Sequence, residues 1–401
     1  MSGQRHRDPI IFNGKTGGAL MDKLITIFWL AGESSGDLHC ELIMKALTKD
    51  GKRYHHLGIG GPKMQAQGLK PLFPFDRFAV MGFVEVLAHL VFFLKVEQRI
   101  KRLFEEAKPD LVILADYPGL NLRIAHLADE YRIPVLYYIV PQFWAWKHDR
   151  VFKIKASVRH AACILPFEEE LLTIHNIACS YVGHPIAEEI EHKMDRDTFA
   201  RFFHLNANKK WLGFFPGSRN SEAKKMLPTF LKAAKQWDQK EYEILVSKSH
   251  GVNHQLFMDL VSGTGMPNLN IIDGYNYDMM QHCDALVCTS GTVTLEASYI
   301  GTPSVICYRA NPLSYLIGKH LVRVSRIGLP NIILDNDVLP ELVQRDMNIE
   351  NINAKLREIL PGSPRREVIL LELRKLRAML SDKKPSVELP QIIEQILITY
   401  G

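Results

Sequence analysis

Three short stretches carry residue types that group-transfer chemistry needs. Asp116-Tyr117-Pro118-Gly119 follows the apolar run Leu111 to Ala115. A carboxylate at the carboxyl end of a buried strand is partly desolvated, which raises its pKa and suits it to take a proton from a hydroxyl. The spacing Asp-x-Pro-Gly equally favours an Asx-turn, and composition leaves both readings open. Pro216-Gly217-Ser218-Arg219 follows Trp211 to Phe215. There Gly217 lets the backbone approach a ligand, Ser218 offers a hydroxyl and a helix-start amide, and Arg219 can grip phosphate with two N–H groups. No G-K-[ST] occurs in this loop, so it is not a P-loop. Thr289-Ser290-Gly291-Thr292 repeats the arrangement, with Glu296 one turn into the next helix, where a carboxylate can hold ribose hydroxyls. Two such helix starts in one half favour a metal-free diphosphate site over two independent helix caps.

Ala31-Gly32-Glu33-Ser34-Ser35-Gly36-Asp37 is more ambiguous. It is either a substrate-contacting turn at a helix start or a plain turn capped by Asp37. Gly32 to Gly36 also fits the G-x-S-x-G nucleophile elbow, but an elbow follows a central strand and this one follows the first. No spacing supplies Ser34 with a histidine and an acid. Gly58-Ile59-Gly60-Gly61 lacks the G-x-G-x-x-G spacing of a nicotinamide site.

The elements that position these residues read as strand–helix units. Leu24 to Leu30, Leu111 to Ala115, Pro134 to Val140 and Ala161 to Leu165 are continuous apolar runs followed by helical patterns; Asp37 to Leu47 is the first helix. Such runs predict a parallel sheet covered on both faces. The pattern pauses at Val182-Gly183-His184-Pro185 and restarts with Trp211 to Phe215, Tyr242 to Val246, Leu269 to Ile272, Ala285 to Val287 and Ser304 to Ile306. Two doubly wound α/β domains facing across a cleft are expected, with ligands at the carboxyl ends of the strands. The expected segments are an N-terminal extension 1–22, domains 23–185 and 186–362, and C-terminal helices 363–401.

Composition excludes several classes. The chain of 401 residues has 47% hydrophobic and 23% charged residues, too apolar for disorder. Lysine plus arginine is 49 against 44 acids, a net charge of +5, too mild for a nucleic-acid binder. It suits an anionic small molecule or lipid surface. The cysteines Cys40, Cys163, Cys179, Cys283, Cys288 and Cys307 form no C-x-x-C pair and read as reduced, buried thiols. His250 and His254 lack the glutamate of a zinc helix, so no metal or cofactor is expected. No run reaches membrane-span length. The first twenty residues lack a signal peptide's apolar core, Met21 is an alternative start, and the expected location is cytoplasmic. Val80 to Leu94 is apolar on nearly every helical face and fits a core helix or a lipid-touching one. Lys147, Arg150, Lys153 and Lys155 beside Trp144 and Trp146 fit a membrane interface or a solvated face; Lys319, Arg323 and Arg326 are a second basic run.

Taken in order, these stretches resemble the lipid-A-disaccharide synthases, inverting glycosyltransferases. The matching segments are AGESSGD, GIGGPKM with Gly68, VMGFVEVL, Asp116-Tyr-Pro-Gly-Leu-Asn, Trp144-Ala-Trp146 with VFKI, LPFE at Leu165 to Glu168, VGHP, FPGSR, SGTVTLE and Leu329-Pro330-Asn331. The resemblance implies a two-Rossmann-domain glycosyltransferase fold of the B type. It implies transfer of 2,3-diacylglucosamine from its UDP derivative to 2,3-diacylglucosamine 1-phosphate, giving the beta-1,6-linked disaccharide phosphate and UDP. Asp116 is then the candidate base. Gly217, Ser218, Arg219, Ser290, Gly291, Thr292, Glu296 and Asn331 are donor-site candidates. Glu33, Ser34, Ser35, Gly36 and Asp37 would shape the acceptor side, and Met81, Phe83, Val84, Leu87 and Phe92 would meet acyl chains. Peripheral contact with the inner face of the inner membrane follows, without nucleic acid, as a monomer or a domain-exchanged homodimer. The resemblance also implies that the C-terminal helices 363–401 return to the first domain or exchange between subunits.

The chain departs from the family pattern in places. Gly119 and Leu120 stand where D-F is common, which questions the shell around Asp116. Ser34 replaces a usual alanine, and Pro141-Gln142-Phe143 replaces S-P-S-V. The rivals are a UDP-N-acetylglucosamine 2-epimerase of the same fold, which would need no acyl surface, and a non-catalytic lipid- or nucleotide-binding protein. Burial of Phe92 and Phe93 bears on the first; the intact Asp116, Arg219 and Glu296 argue against the second.

Overall fold

The computed structural model describes residues 23–49, 51–79, 85–145, 147–263, 265–266, 269–311 and 325–400, with only the backbone for 79 and 85–90. Residues 1–22, Met81, Phe83, Val84, Trp146, Lys319 and Arg323, and the side chain of Leu87, lie outside this description.

The chain divides into two compact units, residues up to Pro185 with those from Lys383, and Ile186–Asp382. In the first, β1 (Leu24–Ala31), β2 (Arg53–Ile59), β3 (Lys70–Pro71), β4 (Leu111–Ala115), β5 (Val135–Tyr138), β6 (His160–Cys163) and β7 (Cys179–Tyr181) form one sheet. Its order is β3-β2-β1-β4-β5-β6-β7, parallel throughout. The helices are α1 (Ser34–Leu47), α2 (Pro62–Ala66), α3 (Asp76–Ala79), α4 (Glu85–Ala107), α5 (Pro118–Glu130), α6 (Arg150–Ser157) and α7 (Pro166–Ile174).

The continuous apolar runs have a direct cause. Successive strand residues point to opposite faces, and each face here has its own core. Phe28 and Leu30 of β1 join Val112 and Leu114 of β4 under Val96, Ile100 and Phe104 of α4. Ile27, Trp29 and Ala31 join Ile113 and Ala115 on the other face, under α1.

The second unit holds α8 (Ile186–Glu189), α9 (Arg196–Phe202), β8 (Lys210–Phe215), α10 (Asn220–Ala234), β9 (Tyr242–Lys248), α11 (His254–Ser262), β10 (Leu269–Asp273), α12 (Asn276–His282), β11 (Ala285–Thr289), α13 (Thr292–Ile300), β12 (Ser304–Tyr308), α14 (Leu329–Ile333), β13 (Glu341–Val343), α15 (Ile349–Ile359) and α16 (Pro364–Ser381). Its parallel sheet runs β10-β9-β8-β11-β12-β13. The last helix, α17 (Pro385–Tyr400), belongs to the first unit.

The return to the first unit therefore begins after Asp382, not at residue 363 as the sequence suggested. Helix α16 buries Ile369, Leu373, Leu376 and Leu380, and it packs on α13 and α15 of its own unit. Helix α17 places Leu389, Ile392, Ile393, Ile396 and Leu397 at helical spacing into the core beneath α1. Burying each such side chain contributes about 1.5–3 kcal/mol, enough to hold the segment there.

Candidate functional site

Both sheets reverse their strand order at one point, between β1 and β4 in the first and between β8 and β11 in the second. Such a switch splays the loops at the carboxyl ends and leaves room for a ligand. Gly32–Gly36 follows β1 and Asp116 follows β4. Gly217–Arg219 follows β8 and Ser290–Thr292 follows β11. The residues read as chemical from sequence thus flank the two switch points.

Asp116 and Tyr117 both adopt left-handed backbone, each at φ 46°. Non-glycine residues rarely do so unless neighbours hold them. Here the Asn121 amide donates to the carbonyl of Asp116 (2.6 Å) and that of Ala115 (3.1 Å), while Tyr137 Oη donates to the Asp116 carbonyl (2.7 Å). The Asp116 side chain is partly buried. Burial pushes its carboxyl up to about 6, and the charge of Glu33 adds to the rise. An N–H bond from Tyr117 and the charges of His39 and Arg150 oppose it. This is the environment of a base that takes a proton near neutral pH.

Gly32 is required beside it, since a Cβ there would come within 2.8 Å of the Tyr117 ring. Gly119 is exposed and a Cβ there would meet nothing, while Leu120 is buried in the core. The departures at 119 and 120 therefore leave the Asp116 shell intact, because Asn121 and Tyr137 build it. Glu168, absent from the sequence-derived site, is fully buried. Desolvation pushes it to about 7 although Trp144 Nε1 (3.0 Å) and the Leu165 amide (3.2 Å) donate to it, and the charge of Asp116 adds to the rise.

The turn after β1 divides by role. Glu33, Ser34 and Ser35 are exposed at the start of α1, which carries no side-chain cap. Asp37 neither caps α1 nor faces a ligand. It is 3% exposed and accepts from the amides of Lys63 (3.1 Å) and Met64 (3.0 Å), so it anchors α2. Of the residues expected to meet acyl chains, Phe92 has a described side chain. It is partly buried, packs against the core and stacks edge-on with Phe78 at 5.2 Å. Among the described side chains of α4, Val91 (61%) and Leu94 (44%) are exposed and apolar.

In the second unit, Gly217 sits at φ 104° and lets the loop fold over Glu222. The Glu222 carboxylate accepts from the amides of Ser218 (2.9 Å) and Arg219 (3.3 Å) and lies 3.6 Å from the Arg219 guanidinium. The Ser218 amide, expected to face phosphate, is therefore held by a carboxylate. Arg219 remains 70% exposed and lines a pocket of about 270 Å³ with Lys225, Thr289, Tyr308 and Arg309. The Thr289 hydroxyl is buried without a hydrogen-bond partner, as a group awaiting a ligand would be.

Of the expected donor residues, only Arg219 lines this pocket. Ser290 donates to the Ile327 carbonyl (2.8 Å) and Glu296 accepts from Tyr277 Oη (3.2 Å). Gly291 and Thr292 are exposed at the start of α13. Asn331 is a correction. It is 1% exposed, donates to the Leu339 carbonyl and to Glu341 (both 2.8 Å), and accepts from the Leu339 amide (2.9 Å). With its amide engaged on both sides, it holds the segment between α14 and β13 and has no donor left for a nucleotide.

A sequence model of the family described as lipid-A-disaccharide synthetase matches residues 27–391. The chain belongs to this family. The lipid-A-disaccharide synthase of Nitrosococcus oceani is 40% identical over 342 residues, covering 85% of this chain and 88% of that protein. That of Trichlorobacter lovleyi is 38% identical, covering 82% and 87%. Membership makes the chain a glycosyltransferase of lipid A disaccharide synthesis. Among solved structures, the calicheamicin glycosyltransferase superposes with a TM-score of 0.60 at 13% identity, over 94% of this chain and 98% of that one. The UDP-GlcNAc 2-epimerase of Neisseria meningitidis, bound to UDP-GlcNAc, gives 0.59 at 11%, over 94% and 99%. These two likenesses show the glycosyltransferase B-type fold alone.

Sequence reading singled out neither Tyr137 and Glu168, which act on the surroundings of Asp116, nor Lys225, Tyr308 and Arg309, which line the second unit's pocket. Tyr308 and Arg309 had a usable signal, since they end β12 at the same sheet edge as Thr289.

Proposed function

We propose that the chain transfers 2,3-diacylglucosamine from its UDP derivative to the 6-hydroxyl of 2,3-diacylglucosamine 1-phosphate. Asp116 takes the hydroxyl proton as that oxygen attacks the anomeric carbon. The bond from the anomeric carbon to the UDP oxygen breaks in the same in-line step, so the configuration inverts. The observation that carries this reading is the Asp116 carboxyl, partly buried at the strand-order switch with its pKa raised to about 6. A base must be ionised yet willing to accept a proton, and that value suits both at neutral pH.

The departing diphosphate gains charge, which fixed cations stabilise. Arg219, Lys225 and Arg309 lining the pocket of the second unit suit this, with the Thr289 hydroxyl as a further donor. Gly291 and Thr292, exposed at the start of α13, suit phosphate, and the Glu296 carboxylate suits ribose hydroxyls. Glu33, Ser34, Ser35 and Gly36 shape the acceptor side, and exposed Val91 and Leu94 offer apolar surface to acyl chains or a membrane face. Among the described residues no helix is long and apolar enough to cross a membrane.

The test supplies both lipid substrates to purified protein in EDTA and reads disaccharide by mass spectrometry and UDP by chromatography. Equal amounts of the two are expected. UDP without disaccharide means donor hydrolysis and a wrong acceptor; neither product from folded protein refutes the transferase reading.

A further inference from the structure

A second concavity lies wholly in the first unit, between α4, α5 and α6, with a volume of about 850 Å³. Pro118 and Gly119, the first turn of α5, form one wall directly after Asp116 and Tyr117. Arg150 of this lining also interacts electrostatically with Asp116, which ties the groove to the proposed base. Leu94, Leu122 and Leu127 supply apolar lining. Five cationic side chains line it against three carboxylates. Arg123 and Glu97 neutralise each other in an ion pair at 2.5 Å. Much of the remaining positive charge gathers at one end, where Lys147 just before α6 and Arg150 and Lys153 on its first turn line the groove, with Asp149 among them. Arg150 is 9% exposed, and its charge reaches Asp116.

An apolar floor with a clustered cationic end fits an anionic amphiphile better than a neutral lipid or a free nucleotide. We propose that this groove seats the acylated sugar phosphate acceptor, with its phosphate among Lys147, Arg150 and Lys153 and an acyl chain along Leu94, Leu122 and Leu127. In a hexosamine 1-phosphate, C1 with its phosphate and C5 with the 6-hydroxyl arm both flank the ring oxygen. A phosphate near Arg150 thus keeps the 6-hydroxyl in the neighbourhood of Arg150, whose charge Asp116 feels. These basic residues then select the acceptor rather than serve as general membrane contacts. The assignment rests on the transferase reading above.

The test measures steady-state kinetics with the phosphorylated acceptor and with its counterpart lacking the 1-phosphate. Wild-type protein, the Lys147→Ala/Lys153→Ala double variant and Lys155→Ala are compared. Both groove lysines are exposed, so folding should survive, and thermal melts check this. Lys155 shares α6 but does not line the groove. Wild type should favour the phosphorylated acceptor. The double variant should raise its KM about tenfold or more, with kcat and donor KM nearly unchanged, as expected for lost charge-assisted contacts. It should also narrow the preference between the two acceptors, and Lys155→Ala should match wild type. An unchanged double variant, or equal wild-type use of both acceptors, overturns the phosphate seat. An equal loss in Lys155→Ala overturns it in favour of diffuse surface charge. No disaccharide from folded wild type with either acceptor refutes the transferase reading itself, and the seat with it.

Discussion

The side-chain amide of Asn121 donates to the main-chain carbonyl of Asp116 at 2.6 Å. Tyr137 Oη donates to the same carbonyl. Two donors on one acceptor hold a left-handed aspartate whose side chain is the proposed base. Asn121→Ala should therefore lower kcat by about tenfold to a hundredfold, leave UDP affinity unchanged, and destabilise the fold by about 1–3 kcal/mol. Steady-state kinetics, nucleotide titration and thermal melts check the three parts. Full turnover in that variant would show that Asp116 needs no such support.

The raised Asp116 carboxyl sets a pH dependence. The base acts ionised, so kcat/KM should rise through about pH 6 and level off above it. The stability effect has the opposite sign. A carboxyl raised from 3.8 to about 6 favours the fold below 3.8, and that contribution is lost as pH rises through 6. Asp116→Asn should then melt higher than wild type at pH 7, with the difference shrinking toward pH 4. A variant less stable at pH 7 would contradict the desolvated carboxylate.

In the second unit, Arg219 and Thr289 separate binding from folding. Arg219→Ala should weaken UDP binding about tenfold through loss of a charge-assisted contact. Thr289→Val removes a buried hydroxyl that has no partner in the structure, so it should cost little or no stability. It should still weaken UDP binding if that hydroxyl meets the nucleotide. Isothermal titration with UDP, alongside melts, reads both; unchanged affinity in both variants would move the nucleotide elsewhere.

Asn331 should behave differently. Asn331→Ala breaks three hydrogen bonds and strands the buried Leu339 carbonyl and amide, while Glu341 keeps the Ile327 and Gly328 amides, so destabilisation on the order of 3 kcal/mol is expected. A large loss of UDP affinity at unchanged melting temperature would restore it to the nucleotide site.

The strands were readable where two cores clamp one strand, because Phe28 and Trp29 must then both be apolar. Strand β2, Arg53–Ile59, was only partly readable. Its His55 and His56 break the apolar run, and His56 is neutralised by burial and accepts from Trp29 Nε1. Asp116, Gly217 and Arg219 were legible because strand ends and glycine turns are local signals. Asp37 was misread because its partners, the Lys63 and Met64 amides, lie 26 and 27 residues away. Asn331 failed similarly, since only the fold brings Leu339 and Glu341 around it. Glu222 was near in sequence, but nothing in its spacing announces that it folds back onto the Ser218 amide.

The most direct measurement compares wild type with Asp116→Asn, using both lipid substrates and counting disaccharide by mass spectrometry while UDP binding is titrated separately. The account predicts disaccharide and UDP in equal amounts from wild type. It predicts near-normal UDP affinity in the variant with turnover roughly 10²–10⁴-fold lower, the usual worth of a positioned base. Turnover within a few-fold of wild type would remove Asp116 from the chemistry and contradict the account.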